Sequence, residues 1–238
     1  MTSIRNNLQQ VQARIATACA AAGRRADSVE LLAVSKTMPV AAVLEACAAG
    51  QRAFGENYVQ EGVAKIQAVR AWEAESGAAP AAVQWHLIGP LQSNKTRLAA
   101  THFDWFHGVD RLKIAQRLSE QRPAELAPLQ VCIQVNIDGG GNKSGVVPQE
   151  AAALAAAVAA LPRLVLRGLM TVPEPVAGFA AQRAVHARAH EMFEQLRAGG
   201  GLGPAFDTLS MGMTADLEAA IAAGSTLVRV GTAIFGAR

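Results

Sequence analysis

The chain has 238 residues, 51% of them apolar and 17% charged, which excludes a disordered polypeptide and suits an undivided α/β barrel. Its net charge of +3 is spread along the sequence with no basic run interleaved with aromatics, so nothing points to a nucleic-acid surface. Cys19, Cys47 and Cys132 have no metal-ligand spacing and read as reduced thiols; the polar first ten residues are no signal peptide, and the Ala-rich run 151–161 is too short to cross a bilayer. A soluble cytoplasmic protein is expected, with no membrane and no nucleic acid among its partners.

Residues 4–22 carry Ile4, Leu8, Val11, Ile15 and Ala18 at helical spacing, ended by Gly23. Leu31-Leu32-Ala33-Val34 reads as a fully buried strand, with Ser35, Lys36 and Thr37 at its carboxyl end. A helix follows from Pro39 to Gly50, then a short strand at 52–55, the Glu56-Asn57-Tyr58 turn and a helix to about residue 75. Strand three spans 83–89 with a helix from about 92 to 100; strand four spans 105–110 with a helix at 111–121. Strand five, 129–136, alternates Val131, Ile133 and Val135 with Gln130, Cys132 and Gln134. A glycine loop at 139–145 and an Ala-rich helix from Pro148 come next. Strand six covers 164–170, a Pro-containing loop 171–178, and a long helix reaches Arg197. Strand seven at 206–210, a helix at 214–223 and strand eight at 226–230 complete the series. Eight strands, each but the last followed by a helix, with an extra helix in front, imply a single (β/α)8 TIM barrel over residues 1–238.

In such a barrel the loops after the strands converge on one mouth. The strand ends supply Lys36, Asn57, His86, Asn136, Met170, Ser210 and Arg229, mostly polar, whereas the strands behind them are mostly apolar. Lys36 is the candidate nucleophile, since a lysine amine desolvated at a strand end can attack a carbonyl; an ion-paired lysine bridging the barrel is the alternative. Ser210-Met211-Gly212-Met213-Thr214 leads from a strand into a helix, with Thr214 as an N-cap, and its backbone N–H groups favour phosphate. Arg229-Val230-Gly231-Thr232 closes the eighth strand, where barrels of this kind place their phosphate site, although Gly231-Thr232 also reads as an ordinary turn. Asn57 suits a helix cap, and His86 a hydrogen-bonded structural histidine. Lys143 reads as a solvated loop lysine, Trp85 and Trp105 as core, and Asp104 and Asp110 as solvated strand ends.

Ala33-Val34-Ser35-Lys36-Thr37, Phe54-Gly55-Glu56-Asn57-Tyr58-Val59-Gln60-Glu61 and Trp85-His86-Leu87-Ile88-Gly89-Pro90-Leu91-Gln92-Ser93-Asn94-Lys95 resemble the pyridoxal phosphate homeostasis proteins, the YggS-like family. So do Ser210-Met211-Gly212-Met213 and Arg229-Val230-Gly231-Thr232-Ala233-Ile234-Phe235-Gly236; Lys143-Ser144-Gly145 and Arg167-Gly168-Leu169-Met170 fit as well. The resemblance implies a fold-type III barrel like the amino-terminal domain of alanine racemase. It implies pyridoxal 5'-phosphate held as a Schiff base by Lys36, with its phosphate on the turn of Ser210, Met211, Gly212 and Met213 and on Gly231-Thr232. Arg229 would face the pyridine nitrogen and leave it unprotonated, a poor electron sink; Asn57, His86 and Met170 would line the pocket. The turn continues Thr214-Ala215-Asp216, where the family usually carries Ser-x-Asp or Ser-Asp-Asp, so the hydroxyl and one acid remain and a middle acid is absent; the chain ends without the basic tail of some members.

The resemblance therefore implies a monomeric carrier that buffers and supplies the cofactor, touching apo-enzymes transiently. The competing class is an amino-acid racemase. Racemisation needs an acid/base on each face of the substrate. The related racemases take the second base, a tyrosine, from a further domain; here the sole tyrosine is Tyr58, expected to support the pocket.

Overall fold

The computed structural model describes residues 3–76, 83–140 and 144–236. Eight parallel strands close in sequence order: β1 Glu30–Val34, β2 Ala53–Glu56, β3 Gln84–Leu87, β4 Trp105–Val109, β5 Leu129–Val135, β6 Leu164–Thr171, β7 Thr208–Ser210 and β8 Leu227–Val230. Glu30 to Ala33 of β1 pair with Leu227 to Val230 of β8, which seals the barrel and leaves no sheet edge.

The pleat sorts each strand into two sets. In β5, Val131, Ile133 and Val135 point to the helices, while Cys132 joins Trp105 and Met170 in an interior cluster. Leu32, Ala53 and Leu227, with Ile88, form a second interior cluster. Leu31 and Val34 are only partly buried, so β1 is less enclosed than its apolar run implies.

The outer layer is α1 Ile4–Ala21, α2 Val40–Ala48, α3 Val59–Ser76, α4 Thr96–His102, α5 Leu112–Gln121, α6 Pro148–Ala159, α7 Phe179–Ala198, α8 Leu217–Ala222 and α9 Thr232–Phe235. Ser3 caps α1 by accepting from Asn6 N–H, and Leu8, Val11, Ile15 and Ala18 bury one stripe of it. That stripe covers the seam at α8 and α9, where Arg14 bonds Glu218 on α8 at 2.8 Å.

Three expectations change. The last strand does have a helix after it, α9, because Gly231-Thr232 starts a further turn. The helix expected from Thr214 begins at Leu217 with Asp216 as its N-cap, the residues before it forming a separate turn. Asp104 is no solvated end: half-buried, it accepts from Trp85 N–H at 2.9 Å. Trp85 and Trp105 are core, on opposite sides of the sheet wall, and the three cysteines are buried free thiols. At the amino-terminal face Arg167 stacks over Trp105, 4.8 Å from the ring centroid, and bonds Asp207 and Gln130, which plugs that end of the barrel.

Candidate functional site

The carboxyl ends of the strands surround a cavity of about 580 Å³, within the size of small-molecule sites. Lys36 reaches it from two residues beyond the end of β1, beside Asn57 after β2. Val34, Ile88 and Val172 form an apolar wall. Met213, Thr214, Ala215, Gly231 and Thr232 also line it, with Gly231 beside Val34, and Arg229 contributes to the lining from inside the barrel. A groove of about 590 Å³ along α1 and α8 is as large, but it is lined mainly by alanines, and its Arg14 and Glu218 already bond each other. Chemistry, not volume, singles out the mouth.

Two backbone features shape the mouth. Gly89 passes so close to Asn57 that a Cβ there would lie 2.2 Å from the Asn57 carbonyl oxygen. Gly212 has φ +92°, and a Cβ on it would lie 2.4 Å from Ala220 Cβ, so only glycine lets the turn after β7 lie flat on α8. That turn is closed by Asp216: Oδ1 accepts from Met213 N–H at 2.6 Å, and Oδ2 bonds His186 Nε2 of α7 at 2.9 Å. Burial alone would raise the Asp216 pKa, but His186 and the Met213 amide bring it below the ordinary carboxylate value. Thr214 and Thr232, from two different strand-to-helix turns, bond through their hydroxyls at 3.3 Å.

Beneath the cavity runs a buried polar chain. Arg229, 4% exposed, donates to Ser210 Oγ at 2.7 Å and to the Thr171 carbonyl at 2.8 Å. Ser210 Oγ bonds His107 Nδ1 at 3.0 Å, and His107 Nε2 lies 2.9 Å from His86 Nδ1, with the His86 ring stacked on Trp105. Burial pushes Arg229 down to about 10, still charged at neutral pH, and pushes His86 down to about 3. His107 is driven well below its ordinary value by burial and by His86 and Arg229 beside it.

Of the residues singled out from sequence, Lys36, Asn57, Met213, Arg229, Gly231 and Thr232 meet at the cavity. Ser210 and His86 lie below it in the polar chain, and Met170 lies in the interior cluster with Trp105. Met211 is buried among the helix-side apolar residues, and Gly212 shapes the turn without lining the space. Tyr58 is 58% exposed and is not part of the lining. Lys143 lies outside the described residues. Ala215, Val34, Ile88, Val172 and His107 are additions to the residues singled out from sequence, and Thr214, read there as the cap of the phosphate turn, itself lines the cavity. Strand alternation carried a signal for His107, two residues after inward-facing Trp105.

Nor had the polar cluster behind Lys36 been foreseen. Lys65 Nζ on α3 bonds Glu56 at 2.9 Å, Glu61 at 2.7 Å and the Ser35 carbonyl at 2.6 Å. Ser35 Oγ donates to Glu56 at 2.6 Å, and Glu61 accepts from the backbone N–H of Thr37. Burial raises the Glu56 pKa against the opposing bonds from Ser35 and Lys65.

A parallel barrel with a lysine, paired hydroxyl turns and an arginine at its mouth defines a class of phosphate-bearing-ligand barrels. Residues 3–238 match the family "Alanine racemase, N-terminal domain", and the chain belongs to it. A pyridoxal phosphate homeostasis protein of Pseudomonas aeruginosa is 57% identical over 238 residues, covering 100% of this chain and 97% of that one. Within the family, the chain belongs to the pyridoxal phosphate homeostasis proteins. PipY of Synechococcus elongatus PCC7942, in a structure with PLP bound, superposes with a TM-score of 0.79 at 36% identity, covering 98% of this chain and 100% of PipY. The alanine racemase of Corynebacterium glutamicum, 16% identical with a TM-score of 0.63, covers 99% of this chain and 60% of the racemase; that likeness concerns the fold.

Proposed function

We propose that the protein binds pyridoxal 5'-phosphate at the barrel mouth through Lys36 and acts in the cytoplasm as a monomeric carrier that buffers and supplies it. One observation carries the reading: an amine, two hydroxyl-bearing turns and a buried guanidinium converge on one cavity with an apolar wall. The donor set suits the group, and Gly212 lets the turn that carries Met213 and Thr214 pack on α8, where a side chain would collide with Ala220. When bound, the cofactor would supply an aldehyde that condenses with the Lys36 amine with loss of one water.

Thr214, Thr232 and the Thr232 and Ala233 amides at the start of α9 would hold the phosphate, since the next two amides, of Ile234 and Phe235, already bond the Gly231 carbonyl. Met211 and Gly212 shape that turn and Met213 lines it. Val34, Ile88 and Val172 would flank the ring and exclude water, with Asn57 at its edge. Arg229, which donates to Ser210, would turn a fixed positive charge toward the ring nitrogen and, with its value at about 10, keeps its own proton at neutral pH. His86, through His107, supports Ser210, and Met170 packs beneath. Solubility is supported by the described residues, where no helix is long and apolar enough to cross a membrane.

The carrier role is favoured over racemase chemistry by the titratable groups of the lining. Among the described residues these are Lys36 and Arg229, and neither offers a second base opposite the lysine. The test mixes loaded protein with an apo-enzyme that needs the cofactor, and separately with L-alanine. Activation of the apo-enzyme without formation of D-alanine is expected. Sustained racemisation dependent on Lys36 would overturn the carrier reading.

A further inference from the structure

Thr37 follows Lys36 directly and has φ +65°. A β-branched residue avoids that region and holds it only where its surroundings impose it. The Ser35–Met38 turn is closed by Met38 N–H donating to the Ser35 carbonyl at 3.0 Å, and it is held from its far side by the ion cluster. Glu61 takes the Thr37 N–H, and Lys65 binds Glu61, Glu56 and the Ser35 carbonyl at once, using all three donors of its ammonium. The residues before and after Lys36 are thus tied to one ion cluster. Lys65 is 4% exposed and its (i, i+4) partner Glu61 is half-buried, although such a pair ordinarily faces solvent, and Glu56 is fully buried.

Burying such a cluster contributes little to stability, because desolvation offsets the attraction. Glu56 Oε2 has no partner among the described residues, so the cluster is not arranged to satisfy its own charges. Its geometry has a clearer use. We propose that Glu61, anchored by Lys65, is a positioning residue that holds the strained Ser35–Thr37 turn and so aims the Lys36 amine at an aldehyde in the cavity. This rests on the reading of Lys36 as the cofactor lysine.

The test uses Glu61→Ala, which leaves Lys65 still paired with Glu56, and follows borohydride-trapped pyridoxal phosphate on the Lys36 peptide over time. Capture slows about tenfold, the effect of a nucleophile released from its aligned geometry. Pyridoxamine phosphate, which has no aldehyde, binds as it does to the native protein. In the ligand-free variant the Thr37 amide exchanges with solvent faster. Adding Thr37→Gly, which adopts positive φ without strain, recovers most of the capture rate. Glu61→Gln, which keeps the acceptor oxygen, captures at the native rate. Capture unchanged by Glu61→Ala, an equal loss of pyridoxamine phosphate binding, or no recovery with Thr37→Gly overturns the proposal. Native protein that captures nothing at Lys36 overturns the parent reading and the proposal together, so the two failures are distinct.

Discussion

Lowering the pH should unfold this protein through two histidines that sit in the barrel interior. His86 and His107 are fully buried, and burial holds His86 at about 3 and His107 well below 6.5. Both folded values lie below the unfolded one, so the neutral rings contribute stability that is complete above pH 6.5. It is lost as the pH falls from there toward the folded values. At pH 5 keeping the His86 ring neutral costs about 2 kcal/mol, because its folded value of about 3 lies well below that pH. His107, lowered by burial and by His86 and Arg229, adds a loss of the same sign, against a typical stability of about 5–15 kcal/mol. Buried Glu56 and half-buried Asp104, whose values are raised by desolvation, act in the opposite sense as the pH falls. Urea unfolding at pH 7.5 and 5.0 reads the net loss, and ring-nitrogen NMR isolates the histidines. Both rings should stay neutral in the folded protein at pH 5. A loss below about 1 kcal/mol, together with rings that charge in the folded state, would refute the sealed polar chain beneath the cavity.

Other changes report on single parts of the site. Gly89→Ala puts a methyl 2.2 Å from the Asn57 carbonyl oxygen and should cost more than about 2 kcal/mol in thermal unfolding or displace Asn57, weakening cofactor binding. Asp216→Asn loses the carboxylate that Met213 N–H and His186 share; phosphate-bearing ligands should bind more weakly, with the folded structure retained by circular dichroism. Thr214→Val keeps the shape of the side chain and removes its hydroxyl; affinity for pyridoxal phosphate should fall about tenfold, and affinity for unphosphorylated pyridoxal should hold in titration.

The barrel was legible because its signals are local and repeated: eight apolar strands, each ended by polar residues and separated by a helix. Lys36 and Arg229 stood out for the same reason, as charged groups where strand periodicity demands burial or a mouth. The Glu56–Glu61–Lys65 cluster was hidden because Glu61 and Lys65 at helical spacing read as a surface pair, and their burial comes from the packing of α3 against β2 and β3. His107 was masked by Trp105 and Phe106 beside it, and its partners Ser210 and His86 lie far away in the chain. Thr214 read as a helix cap because the helix seemed to start there; Asp216 takes that place, which frees Thr214 for the cavity. In each case the missing information was tertiary.

The most direct test of the account is the attachment of the cofactor. Native protein incubated with pyridoxal phosphate, reduced with borohydride, digested and mapped by mass spectrometry should carry the reduced adduct on the Lys36 peptide, with loss of a yellow absorption band. Lys36→Ala should show neither the band nor the adduct. A native protein that stays colourless, or an adduct found on surface lysines with Lys36 unmodified, would contradict the assignment of Lys36 as the residue around which the barrel mouth is built.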